Sequence, residues 1–161
     1  MTTAEITRIL PTWEDTLESR TVFYRSVCGL AAYVRPELDA ISVDASETLG
    51  AIVMPAALAD RVHNDMHHRG IGVGPIITNT RAQRWTWLVR PDIPADTALY
   101  AAMFRIAVHV ARPGTPIALP SPIARHVGIR CWAASPTDAF RPAASVVLAA
   151  VTACTTPRRV P

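Results

Sequence analysis

Fourteen prolines are spread along this 161-residue chain and divide it into short segments. Proline is tolerated at the start of a helix or at the edge of a sheet, but it disrupts the interior of either element. Between the prolines, helical segments alternate with adjacent pairs of short, β-branched runs. The predicted order is helix, two strands, helix, two strands, helix, two strands, helix. Such strand pairs favour an α+β fold, with a mixed or antiparallel sheet and helices packed on it, over a doubly wound parallel sheet.

Apolar spacing and turn residues give approximate bounds to these elements. Apolar positions at helical spacing predict a first helix over residues 12–34, which Pro36 would stop. Residues 76–89 have the pattern of a β-hairpin, and Asp96 is placed to cap a helix from Thr97 to Arg105. The segment RIAVHV that follows is compatible with either helix or strand. The other predicted elements are strands in AISVDA, GAIVMP, TPIALP and HVGIRCWAA, a helix in PAALADRVHNDMHHRG, and a final helix starting near Pro142.

Hydrophobic residues make up 50% of the chain, which is enough for one compact domain over residues 1–156, with a frayed tail at 157–161. No apolar run approaches the roughly 18 residues of a membrane span, and the start does not resemble a signal peptide. We therefore expect a cytoplasmic protein without a membrane partner. Three cysteines without CxxC spacing fit neither a disulfide framework nor a zinc ribbon.

Charge is distributed unevenly along the chain. All sixteen basic residues are arginine, and the net charge is +3. Residues 97–161 hold seven arginines and one acid, Asp138, whereas twelve of the thirteen acids lie before them. A basic C-terminal half is compatible with a polyanionic partner and equally with a solvated surface.

Several residue patterns resemble chemical sites without completing one. His63 and His67 are four positions apart on a predicted helix, so they are weak candidates for zinc ligands, but no third ligand follows. The acids Asp39, Asp44 and Glu47 are weak candidates for a catalytic Mg²⁺ site, although the spacing of the first two does not place them on one face of a strand.

Two tryptophans alternate with arginine and threonine in RWTWLVR, so Trp85 and Trp87 face the same side of a strand. If that side is inward, both belong to the core; if it is outward, Trp85 is placed to stack on bases. Both interpretations remain open from the sequence, with the core favoured.

Three stretches together resemble small actinobacterial proteins related to the N-terminal domain of bifunctional DNA primase/polymerases, the prim-pol branch of the archaeo-eukaryotic primase superfamily. They are GAIVMPAALADRVHNDMHHRG, GPIITNTRAQRWTWLVRP and IALPSPIARHVGIRCWAASP, within about residues 40–150. The last resembles a proline-proline-serine, glycine, aromatic-arginine-tryptophan pattern. Its matching residues here are Leu119, Pro120, Ser121, Gly128, Arg130 and Trp132.

The departures from this family concern catalysis. Its active members carry an acidic DxD-type metal motif on a strand and a histidine that contacts nucleotide phosphate. At the matching places this chain has VDASETLGAIVMP and Arg84 or Trp85. The resemblance thus implies a degenerate active site on a retained scaffold, with a groove bordered by Arg84, Arg125 and Arg130.

The resulting expectation is a prim-pol-like domain that binds nucleic acid, nucleotide or a protein partner without catalysis and needs no cofactor. One alternative is a residual metal-dependent nucleotidyltransferase that uses Mg²⁺ at the three weak candidate acids. The other is a protein-interaction module whose groove is vestigial.

Overall fold

The computed structural model describes residues 15–123 and 128–157, and within them the chain forms an α+β fold with antiparallel sheets. This confirms the predicted fold class. The helices are α1 (Leu17–Ser26), α2 (Ala56–His68), α3 (Thr97–Arg105) and α4 (Ala144–Thr155). The strands are β1 (Tyr33–Arg35), β2 (Ala40–Asp44), β3 (Gly50–Pro55), β4 (Ile76–Asn79), β5 (Arg84–Val89), β6 (His109–Val110), β7 (Pro116–Leu119) and β8 (Arg130–Ala134).

The strands form two antiparallel sheets in the described part of the chain. One has five strands in the order β6-β3-β5-β4-β8, and the other has three in the order β1-β2-β7. The predicted hairpin is confirmed as the β4–β5 pair. Asp96 caps α3 as expected, because its Oδ1 accepts hydrogen bonds from the amides of Ala98 and Leu99 at 3.0 and 3.1 Å.

Side-chain alternation on the five-stranded sheet builds a core on each of its faces. Trp87 is fully buried on one face and Leu88 on the other. The Trp87 face packs against α2 and α4 through residues that include Val62, Met66, Val147 and Val151. The Leu88 face packs against the three-stranded sheet and α1 through residues that include Tyr24, Ile41, Val43 and Leu119. Both cores therefore share the five-stranded sheet.

The first helix is shorter than the pattern over residues 12–34 predicts. It begins after Thr16, whose side chain accepts the amide hydrogen of Ser19 at 3.1 Å, and it ends at Ser26. Gly29 has a φ of +61°, which lets the chain reverse, and the segment at the end of the predicted helix forms β1 instead. That helix prediction was wrong in extent, and its residues 12–14 lie outside the described part.

The ambiguous segment RIAVHV ends as the short strand β6, and of the predicted tail only Pro157 is described. No helix in residues 15–123 and 128–157 combines the length and apolar character that crossing a membrane requires.

Candidate functional site

A row of polar residues crosses one end of the five-stranded sheet. Asn79 on β4 lies opposite Arg84 on β5 and, on its other side, opposite Arg130 on β8. Directly opposed residues in an antiparallel ladder point to the same face, and neighbouring strands are about 4.8 Å apart. The Cα atoms of Arg84 and Arg130 are therefore about 10 Å apart, with Asn79 between them.

This row lies on the face that also carries the three-stranded sheet, at the end which that sheet leaves open. Towards the other end of β3 and β5, same-face residues such as Ala51 and Leu88 are buried in the second core. Arg84, Asn79 and Arg130 are only half-buried. The face thus changes from a closed core to an open polar surface along its strands.

A pocket of about 540 Å³ reaches Arg130 from the side of the three-stranded sheet that faces away from the second core, because the lining residues Ser42 and Ala118 alternate with Ile41 and Leu119, which point into that core. Small residues of the three-stranded sheet form one wall, and Arg130 contributes from the five-stranded sheet. The lining residues are Arg35, Glu37, Leu38, Ala40, Ser42, Pro116, Ala118 and Arg130. We call this pocket, together with the row of Arg84, Asn79 and Arg130, the sheet cleft.

Arg130 is the free cation of the sheet cleft. Its guanidinium forms no hydrogen bond or ion pair with any residue in the described ranges. Arg35, across the pocket, is instead paired with Glu37 at 3.0 Å. A half-buried guanidinium has lost part of its hydration without gaining a protein partner, so it is suited to an anionic ligand.

Arg84 is held by the protein itself. Its Nη2 donates to the carbonyl oxygen of Ala107 at 2.7 Å and, more weakly, to that of Val53 at 3.4 Å. Ala107 has a φ of +60°, a left-handed conformation that costs a non-glycine residue about 1–2 kcal/mol. The hydrogen bond from Arg84 therefore stabilises the strained turn between α3 and β6, and the positive charge of Arg84 lies at the edge of the cleft.

Trp85 does not belong to the sheet cleft. It points to the opposite face, where it is half-buried against the core that contains Trp87. The sequence interpretation of both tryptophans as core residues agrees with this placement. An aromatic side chain on the cleft face is that of Trp132, which lies two positions along β8 from Arg130. The indole Nε1 of Trp132 donates to the hydroxyl of Tyr24 at 3.2 Å.

Arg125, the third arginine predicted to border the groove, lies outside the described residues. Arg112 and Arg141, two described arginines of the C-terminal half, are engaged away from the sheet cleft. Arg112 lies over the ring of Tyr100, 5.9 Å from its centroid, and Arg141 donates to the carbonyl oxygen of Cys28 at 3.2 Å. Arg112, Arg130 and Arg141 therefore lie on separate surfaces.

The three candidate acids are dispersed around β2. Asp39 precedes the strand in a left-handed conformation with a φ of +46°, and Asp44 ends it. At about 3.3 Å per residue the strand separates them by roughly 17 Å. Asp44 Oδ1 accepts a hydrogen bond from the hydroxyl of Tyr33 at 2.6 Å, which raises the pKa of that phenol. Glu47 is exposed in the following loop.

The two candidate histidines share one face of α2, as their spacing predicts. The rings of His63 and His67 are parallel, with centroids 6.4 Å apart. Within the described ranges, no three His, Cys, Asp or Glu side chains are grouped closely enough to hold a metal ion.

Sequence reasoning missed Asn79, the residue that connects the two arginines. Alternation along RWTWLVR does separate Arg84 from the tryptophans, and the hairpin prediction could have placed Asn79 opposite it. The neighbour on the other side, β8, comes from a distant part of the chain, and no local pattern indicates that pairing.

Comparisons of the chain with protein-family models, with curated proteins and with solved structures gave no match.

Proposed function

We propose that the protein binds single-stranded nucleic acid in the sheet cleft, with Arg130 contacting phosphate. The observation that carries the proposal is the half-buried guanidinium of Arg130, which has no partner within residues 15–123 and 128–157 and stands in a row with Asn79 and Arg84, beside an open pocket. A guanidinium fork binds phosphate, as it binds carboxylate, through two parallel hydrogen bonds. On this proposal the chain is a non-catalytic, prim-pol-like domain.

The surroundings of Arg130 favour a single strand. The side-chain oxygen of Asn79 accepts the amide hydrogen of Ala82 at 3.0 Å, which leaves the two amide N–H donors of Asn79 for sugar and base edges. Trp132 lies on the same face and is half-buried, so one side of its indole is available for base stacking. The wall formed by Ala40, Ser42 and Ala118 is free of bulky side chains, which leaves room for a base or a sugar.

The placement of the acids supports a binding role over nucleotidyl transfer. Two-metal catalysis needs carboxylates that converge on ions about 4 Å apart, and Asp39 and Asp44 lie at opposite ends of β2. The carboxylate of Asp44 is in addition engaged by Tyr33.

Fluorescence anisotropy with a labelled single-stranded oligonucleotide tests the proposal. At about 50 mM salt we expect binding at micromolar protein, and the logarithm of the affinity should fall linearly with the logarithm of salt, by about 0.7 per phosphate contacted. Arg130→Ala should weaken binding roughly tenfold and lower this slope by about 0.7, because it removes one phosphate contact.

Arg90→Ala is the matched control, because Arg90 is an exposed arginine that follows the opposite end of β5. We expect this variant to bind like the wild type. An equal loss in both variants would attribute binding to overall charge, and no binding by the wild type would exclude the nucleic-acid proposal. Polymer synthesis from nucleoside triphosphates with Mg²⁺ would favour the nucleotidyltransferase alternative.

A further inference from the structure

A second pocket lies at the other end of β5, away from the sheet cleft. It has a volume of about 510 Å³ and is formed between the loop after α2 and the segment that leads into α4. Its lining residues are Ile71, Gly72, Arg90, Ala139, Phe140, Arg141, Pro142, Ala143 and Val146. We call it the Arg90 pocket. Its volume lies in the range of about 300–1,000 Å³ typical of small-molecule sites.

Apolar side chains form most of the wall of the Arg90 pocket. Ile71 and Val146 are half-buried at its base, where they pack against the core between the sheet and the helices. Phe140 stands at the mouth and is 53% exposed. A Cβ on Gly72 would lie 3.1 Å from the Phe140 ring, so the absence of a side chain at Gly72 lets the ring rest directly on the loop.

The ionisable side chains that line this pocket are Arg90 and Arg141. Neither forms an ion pair within the described residues. Arg141 is half-buried, and this burial lowers the pKa of its guanidinium. The acid nearest to Arg90 along the chain is Asp92, whose carboxylate accepts hydrogen bonds from the backbone amide and hydroxyl of Ser145; these bonds, together with the charge of Arg90, lower its pKa. One N–H of the Arg141 guanidinium donates to the carbonyl oxygen of Cys28 at 3.2 Å, which leaves its other N–H groups for a ligand.

The lining of this pocket combines two arginines with an apolar wall and contains no carboxylate, and this combination defines the chemistry of a ligand. We propose that the Arg90 pocket binds a small organic anion with an apolar body, such as an aryl or alkyl carboxylate. The carboxylate would pair with Arg90 and Arg141, and the hydrocarbon part would cover Ile71, Phe140 and Val146. Inorganic phosphate would meet the same charges but leave the apolar wall in water.

Isothermal titration calorimetry with 2-naphthoate tests this site. We expect one naphthoate per chain with a Kd at or below about 1 mM. The uncharged analogue 2-naphthylmethanol should bind at least about tenfold more weakly, because it cannot form the charge-assisted hydrogen bonds. Arg90→Ala should cause a similar loss, and Val146→Trp should prevent binding by filling the pocket.

Arg81→Ala is the matched control, because Arg81 is an exposed arginine in the turn before β5, at the end opposite Arg90, and its removal should leave the naphthoate affinity unchanged. Should Val146→Trp fail to fold, Phe140→Ala replaces it, since the exposed ring contributes apolar contact at the mouth and its loss should weaken binding. The proposal is overturned by a lack of saturable binding, by equal affinity for the alcohol, by phosphate binding as tightly as naphthoate, or by indifference to Arg90→Ala. None of these outcomes depends on nucleic-acid binding, so the two proposals fail separately.

Discussion

Gly74, in the loop before β4, has both a backbone conformation and a close neighbour that disfavour any side chain at this position. Its φ is +66°, and a Cβ built on it would lie 2.5 Å from Cδ of Pro142. Pro142 cannot move freely, because its carbonyl oxygen accepts the amide hydrogen of Arg90 at 2.8 Å. The amide of Ala144 donates in turn to the carbonyl oxygen of Arg90 at 2.9 Å. Gly74→Ala must therefore distort the junction between β5 and α4.

The expected loss has a backbone part and a packing part. A left-handed alanine costs about 1–2 kcal/mol, of which about 0.4–1 kcal/mol is offset by the lower entropy of the unfolded chain. Overpacking against a fixed neighbour adds about 1–3 kcal/mol. We therefore expect Gly74→Ala to lower the free energy of unfolding by about 2–4 kcal/mol.

Gly70→Ala is the matched control for this prediction. Gly70 has nearly the same φ, +68°, but no atom lies within 4 Å of a Cβ built there. Gly70→Ala should therefore lower the free energy of unfolding only by the backbone part, about 1 kcal/mol. Urea unfolding followed by circular dichroism measures both variants, and an equal loss in the two would refute the argument from contact with Pro142.

Two further predictions concern the core beneath the three-stranded sheet. Tyr24→Phe should lower the free energy of unfolding by about 1–3 kcal/mol, because the hydroxyl donates to the carbonyl oxygen of Pro120 at 2.6 Å and accepts from Trp132 Nε1; a loss below about 0.5 kcal/mol in urea unfolding would contradict this. Burial raises the pKa of the Cys28 thiol to about 11 from about 9, so the folded state holds this proton more tightly than the unfolded state does. This contribution to the free energy of unfolding should be fully present below about pH 9 and should be lost as the pH rises towards 11. In the variant Cys28→Ala, the free energy of unfolding should decrease less steeply between these two pH values.

Local patterns were sufficient for most of the elements. Alternation in β5 and the turn before it predicted the hairpin, and Asp96 predicted the start of α3, because both signals lie within a few residues of the structure that they specify. The first helix was overextended because apolar spacing continues past Ser26. Gly29, where the chain reverses, was the signal against that extension.

The sheet cleft could be predicted only in part. The family resemblance brought Arg84 and Arg130 together as expected neighbours, and the strand register places them in one row. The position of β8 beside β4, and hence the role of Asn79, depends on pairing between distant strands. Such pairing is decided by the whole core and leaves no local pattern.

The three-stranded sheet pairs strands that are far apart in the sequence, so it cannot be completed until β7 has been synthesised. The amide of Ile41 donates to the hydroxyl of Ser121 at 2.9 Å, across 80 residues of sequence, and Tyr24 reaches Pro120 across 96. At a synthesis rate of about 5–20 residues per second, the second strand waits about 4–16 s on the ribosome for its last partner. Contacts of this separation also slow refolding, because a long loop must close before they form. One edge of β2 pairs with β1, so the nascent chain exposes the other edge of this apolar strand for seconds, and a chaperone that covers such an edge should raise the yield of folded protein.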